Sequence, residues 1–208
     1  MTSSDALRIA VFNGKGGCGK TTLAWNLAMG LGRRASTLLL DADPQGSLAH
    51  WADWSGREDI AIRVREWGSE AGHGEEYAFI VTDCAPRLEA EELKQIVAES
   101  DLVLLPVLPS PLDLWASRRS ADWIREQRAQ RPTLRAAFVL NQVEAQSALS
   151  RAAQVAIAEL GLPVLRAVLH RRAIYRSAAL EGLSVYHMGK RASAAQAELE
   201  RLIEEIVT

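Results

Sequence analysis

The chain is short of cysteine, of positive charge and of long apolar runs. Among its 208 residues only Cys18 and Cys84 carry thiols, and no apolar run approaches the length that crosses a bilayer. So few thiols, read together with the glycine-rich motif described below, point to a reduced cytoplasm. The opening stretch, Met1-Thr2-Ser3-Ser4-Asp5-Ala6, has neither a basic start nor an apolar core, so no secretory leader is expected. Lys and Arg number 24 against 26 Asp and Glu, a formal charge of −2. That balance excludes a protein coated in positive charge, and contact with nucleic acid would have to come from a local patch. Internal repeats and low-complexity linkers are missing too, and no helix-turn-helix extension is expected ahead of the first motif. A hydrophobic content of 48% is that of an ordinary globular protein, and one α/β domain over residues 1–208 is the simplest organisation.

What is present is organised around Asn13-Gly14-Lys15-Gly16-Gly17-Cys18-Gly19-Lys20-Thr21-Thr22. Gly14 to Thr21 complete the phosphate-loop pattern G-x-x-x-x-G-K-[ST]. A backbone that curls round a nucleotide's β-phosphate needs left-handed conformations and close approach, which Gly14, Gly16, Gly17 and Gly19 allow. Lys20 would neutralise the β/γ oxygens, and the Thr21 hydroxyl would ligate Mg²⁺. Thr22 continues the loop into a helix whose free N–H groups face the same anion. Cys18 reads as a small residue filling a loop position. The context fits: residues 7–12 form an apolar run of strand length, and Leu23, Leu27 and Leu31 recur at helical spacing up to Gly32.

Further along, residues 36–40 read as a buried strand ending in Asp41-Ala42-Asp43-Pro44-Gln45-Gly46-Ser47. Carboxylates at such a strand end face the ligand crevice of an open α/β sheet, although Asp43 could equally begin a turn before Pro44. Leu48, Trp51 and Trp54 follow at helical spacing as a packing face, residues 60–65 alternate like a half-exposed strand, and residues 66–76 read as a loop. Residues 77–83 have the Walker B shape, an apolar strand ending in a carboxylate, and Asp83 would hold Mg²⁺ through water. A helix is expected over 88–98 and a buried strand over 101–106. In the helix that starts at Pro111 and runs to Gln130, Leu112, Trp115, Trp123 and Ile124 are the expected buried side. Residues 134–141 read as a strand ending in Asn141, and a helix over 149–160 stops at Gly161. The segment that follows is basic, with Arg166, His170, Arg171, Arg172, Arg176, Lys190 and Arg191 offset within that span only by Glu181. The helix over 192–207 is amphipathic, with Glu198, Glu200, Glu204 and Glu205 around its polar sides, which makes it a poor anchor for anionic lipid.

With Lys15 included, G-K-G-G-C-G-K-T-T resembles the deviant Walker A signature of the ParA/MinD superfamily of dimeric ATPases. The D-A-D-P-Q-G segment, Walker B and the turn Pro109-Ser110-Pro111-Leu112-Asp113 come in that family's order and look like its small ParF-like partition members. The resemblance implies a single doubly wound P-loop domain with a mainly parallel sheet and helices on both faces. It implies that Lys15 crosses a nucleotide sandwich dimer to the partner's phosphates. By the same resemblance Asp41 stands near the Mg²⁺ water shell, Asp43 positions the attacking water, and Asn141 meets the adenine. The proline-rich turn contributes to the dimer contact, or simply stiffens a strand-to-helix connection. The basic C-terminal segment, Arg171, Arg172, Arg176, Lys190 and Arg191, is where such proteins hold DNA non-specifically through phosphates.

The activity so implied is Mg²⁺-dependent ATP hydrolysis, slow in the basal state because no cis arginine or glutamine stands beside the water. The leading expectation is plasmid or chromosome segregation by an ATP-gated homodimer on the nucleoid, stimulated by a centromere-binding partner, with no membrane involved. The alternative is a positioning or scaffold ATPase for a conjugation or other cellular machine without DNA cargo. A ligase or kinase on the same loop would need a second set of catalytic groups, and none is evident. A redox role would require cluster cysteines, whereas Cys18 and Cys84 lie in nucleotide motifs.

Overall fold

Apolar strands that bury both faces require helices on both sides of a parallel sheet, and the computed structural model has that arrangement. It describes residues 6–44, 46, 48, 50–52, 62–69, 77–87, 91–144 and 148–208. The strands are β1 (Leu7–Val11), β2 (Thr37–Ala42), β3 (Arg63–Glu66), β4 (Phe79–Cys84), β5 (Leu102–Val107), β6 (Arg135–Val143) and β7 (Val164–His170). They form one seven-stranded sheet in the order β3-β2-β4-β1-β5-β6-β7, and every neighbouring pair is parallel. Alternation along the strands separates two cores. Ile9, Val11, Leu102 and Leu104 point into one, and Ala10, Phe12, Val103 and Leu105 into the other.

The helices divide accordingly. The first core lies under α1 (Lys20–Gly32), α5 (Ala173–Leu180) and α6 (Ser193–Val207), and contains Trp25, Leu27, Ala178, Leu199 and Ile203. The second lies under α2 (Glu91–Glu99), α3 (Pro111–Gln130) and α4 (Ala148–Ala158), with Ile96, Ile124 and Ile157. Gly30 lets α1 and α6 meet closely, since a Cβ there would stand 2.4 Å from Ile203 Cδ1. Leu48 is fully buried and Trp51 packs edge-on against Trp25 at 5.9 Å. Trp54 and residues 60, 61, 70–76 and 88–90 lie outside the described residues.

Two expectations about helix faces are corrected. Leu112 and Trp115 are 83% and 78% exposed, and the buried side of α3 is Leu114, Ser117, Ser120, Ala121 and Ile124. Apolar spacing misleads here because two serines turn inward to satisfy polar groups of the phosphate loop, which rotates the large residues outward. Glu198 is not on the polar side of α6 but is 2% exposed, because it receives hydrogen bonds from the end of β7, a strand with no signal in the sequence reading.

Candidate nucleotide site

The loop between β1 and α1 has the backbone its glycines allow. Gly17 and Gly19 take left-handed φ values of 78° and 90°, and a Cβ on Gly19 would meet Asn141 Nδ2 at 2.5 Å. Gly19 also precedes α1 without any side-chain cap, so the helix presents uncapped N–H groups, an arrangement that favours an anion. Lys20 is 7% exposed and its Nζ donates to Lys15 O at 3.3 Å, which folds the ammonium back over the loop. Gly14 is half-buried, while Lys15, Gly16 and Gly17 are exposed. The Cys18 thiol is buried against the same carbonyl, 3.3 Å from Lys15 O. Burial pushes its pKa up against the opposing charge of Lys20, so it is a packing group and not a reactive thiolate. Thr22 accepts from Asn26 Nδ2 through its carbonyl at 2.8 Å, and Asn26 Oδ1 in turn holds Val185 N–H at 2.9 Å.

Beside the loop stand two carboxylates from adjacent strands. Asp41 on β2 and Asp83 on β4 are paired in register, on the face of the sheet that α1 covers. Asp41 is buried and fully engaged: Oδ1 accepts from Asp43 N at 3.1 Å and Oδ2 from Leu48 N at 3.0 Å. Asp83 is 1% exposed and its Oδ1 has no hydrogen-bond partner. Burial pushes its pKa up to about 7, the Thr21 hydrogen bond pulls the other way, and the Asp41 charge adds to the rise. A buried, unsatisfied carboxylate oxygen next to a threonine hydroxyl is costly unless a cation joins them, so Thr21 and Asp83 fit Mg²⁺. Among the described residues no group of three or more His, Cys, Asp or Glu is gathered as a metal cage. Asp43 is half-buried and lines, with Asp41, Glu66, Trp67 and Cys84, a cavity of about 340 Å³.

On the other side of the loop, Gly19, Thr22, Asn26, Asn141 and Tyr175 line a second cavity of about 230 Å³. Both poles of the Asn141 amide have partners: Nδ2 donates to Cys18 O at 2.8 Å and Oδ1 accepts from Gln142 N at 2.9 Å. In this state Asn141 ties the loop to β6. The basic segment is also placed differently from a free surface stripe. Arg171, Arg172 and Arg176 line this cavity. Arg172 Nε donates to Glu198 Oε1 at 3.2 Å, His170 Nδ1 lies 2.8 Å from the same oxygen, and Arg171 pairs with Glu144 at 3.1 Å. Glu181 is the only carboxylate within the basic span, and Glu144 and Glu198 meet its arginines from outside it. Lys190 and Arg191 remain exposed, on a 3₁₀ turn over Gly189–Ala192. The Tyr175 hydroxyl is buried without a hydrogen-bond partner, and the sequence reading places His170 on a basic segment and Glu198 on a polar helix side without joining them. His170 and Glu198 meet across 28 positions of chain, a contact that no local pattern carries.

Three comparisons bear on this geometry. The family described as CobQ/CobB/MinD/ParA nucleotide binding domain matches residues 9–185. The maintenance of carboxysome distribution protein A of Halothiobacillus neapolitanus is 42% identical over 214 residues, covering 100% of this chain and 99% of that protein. Its namesake in Gloeobacter kilaueensis is 36% identical, covering 99% of this chain and 96% of its own. Among solved structures, the ATP complex of a Cyanothece McdA variant superposes with a TM-score of 0.75 at 15% identity, covering 98% of this chain and 97% of that one. At that identity the likeness speaks for the fold.

Proposed function

This chain belongs to the CobQ/CobB/MinD/ParA family of nucleotide-binding domains, and from that membership we propose that it is the ATPase that distributes carboxysomes. It is a ParA-type positioning ATPase that uses ATP and Mg²⁺. The observation that carries the choice of cargo is the end-to-end 42% identity to a carboxysome distribution protein. The expectation of plasmid or chromosome segregation gives way to the positioning alternative, because the relatives that cover the whole chain are named for the distribution of carboxysomes.

In this reading Lys20 and the amides of residues 16–21 hold the phosphates. Thr21 and Asp83 hold Mg²⁺, which when bound offsets phosphate charge. Asp41, fixed by two backbone amides, is a rigid acceptor beside that shell, and Asp43 orients the attacking water. Lys15, exposed on the loop, reaches the phosphates of a second copy in an ATP-gated homodimer, a contribution that in related phosphoryl transfers is worth roughly 10³–10⁵ in rate. Non-specific DNA of the nucleoid serves as the track, and the accelerating partner sits on the carboxysome and not on a centromere. No helix among the described residues is long and apolar enough to cross a membrane.

Deleting the gene in the cell that carries it, with a fluorescent shell protein as marker, should collapse evenly spaced carboxysomes into clusters. Lys20→Ala should reproduce the deletion and abolish ATP binding by the purified protein. Normal spacing in the deletion strain would remove carboxysomes as cargo, and retained ATP affinity in the variant would remove the phosphate-loop assignment.

A further inference from the structure

The phosphate loop is fastened to the sheet and to α3 by a buried polar cluster that joins Asn13 to two serines of that helix. Asn13, Ser117 and Ser120 are 0%, 0% and 1% exposed. Asn13 uses its whole hydrogen-bonding capacity. Its Nδ2 donates to Pro106 O and to Ser117 Oγ, both at 2.9 Å. Its Oδ1 accepts from Ser120 Oγ and from Lys15 N, both at 3.1 Å. Ser120 Oγ in turn accepts from Gly14 N at 2.9 Å, and Ser117 Oγ donates to Asp113 O at 2.8 Å. An asparagine can make four such bonds and a hydroxyl can donate once, so the cluster is saturated.

The consequence falls on Lys15. Its N–H is pinned by Asn13, and its carbonyl accepts from Lys20 Nζ and Cys18 Sγ. Gly16 and Gly17 beyond it are exposed, and a Cβ on either would meet nothing within 4 Å. The backbone of Lys15 is thus the last fixed point before an open stretch, and what fixes it is anchored on α3, with Ser120 lying 107 residues from Asn13 in sequence. We propose that Ser120, acting with Ser117 through Asn13, is a positioning residue that sets the direction in which Lys15 leaves the loop. This explains why α3 buries two serines where its apolar residues would otherwise pack: the helix must stay within hydrogen-bond reach of residues 13 and 14. It rests on the reading of Lys15 as the lysine that acts on a second copy's nucleotide.

Ser120→Ala leaves Gly14 N–H and one lone pair of Asn13 unsatisfied without touching any phosphate-binding group. A displacement of the order of 1 Å at a reacting group can cost about 10²-fold. Expected for Ser120→Ala is a fall in ATP turnover and in ATP-dependent dimer formation of about tenfold or more, with the Kd for Mg-ADP unchanged within about twofold. Lys15→Ala should have the same profile, and adding Ser120→Ala to it should do nothing further. Ser120→Cys, which keeps a polar side chain there but weakens the hydrogen bonds, gives the same comparison should the alanine variant fold poorly.

A loss of stability alone would lower turnover by the inactive fraction and would do so equally with Lys15 or Ala at position 15. Additive losses in the double variant would therefore overturn the proposal, as would full activity of Ser120→Ala beside an impaired Lys15→Ala, which leaves the role of Lys15 intact. Full activity of Lys15→Ala would overturn the role of that lysine and the positioning with it.

Discussion

Asp83 holds a carboxyl whose pKa of about 7 in the folded protein compares with an ordinary 3.8. Between those values the folded chain retains a proton that the unfolded chain releases, so this residue makes the protein less stable as pH rises from about 4 to about 7, with no further change above. Asp83→Asn should remove that slope and raise the metal-free melting temperature of the protein above neutrality, as read by thermal denaturation in a chelator. An unchanged pH profile would mean the carboxyl is satisfied in solution by a group other than a bound cation. The loop between strand and helix and the carboxylate at the end of β4 were legible in the sequence because both are local patterns. The hydrogen-bond partners of those residues were not: Asn141 meets Cys18 O across 123 positions of chain.

At the scale of elements, α3 and α6 show how a helix's face is chosen by what lies under it. Ser110 caps α3 by accepting from Asp113 N, Pro111 occupies its first turn, and these local signals place its start correctly. Its rotation is set by Ser117 and Ser120, which leaves Leu112 and Trp115 exposed on a helix hydrogen-bonded to the loop that carries Lys15. Trp115→Glu should change folding stability by no more than ~0.5 kcal/mol while raising the ATP-dependent dimer dissociation constant about tenfold or more, measured by sedimentation. An unaffected dimer would place the interface elsewhere. For α6, burial would raise the pKa of Glu198, but the bonds from Arg172 and His170 outweigh it and hold the carboxyl below its usual 4.5. Its contribution is present above that value and is lost as pH falls through the lowered one. Glu198→Gln should cost about 1–3 kcal/mol near neutrality, a deficit that closes in acid in urea unfolding series. A constant deficit would show that the carboxylate's charge is not what is used.

The whole molecule sets which basic side chains are paired and which stay exposed. The sheet carries Arg171 and Arg172 to the rim of the cavity beside the phosphate loop, where Glu144 and Glu198 meet them, whereas Lys190 and Arg191 stay exposed. Reversing Lys190 and Arg191 to Glu should weaken binding of non-specific duplex by the ATP-bound protein and reduce the salt slope by about 1 per lost phosphate contact, while ATP affinity is kept. Equal affinity at all salt concentrations would leave that surface without a role in DNA binding.

The sequence by itself determined the loop, the two strand-ending carboxylates, the parallel α/β class and the family, because each is written in residues close together in the chain or in the order of short motifs. Only the tertiary structure decided that Asn13 is held by two serines of α3, that Glu198 is buried under β7, that Asn141 braces the loop, and that Trp115 faces outward. Those choices follow from saturating buried polar groups with partners that the fold, and not the chain, makes neighbours.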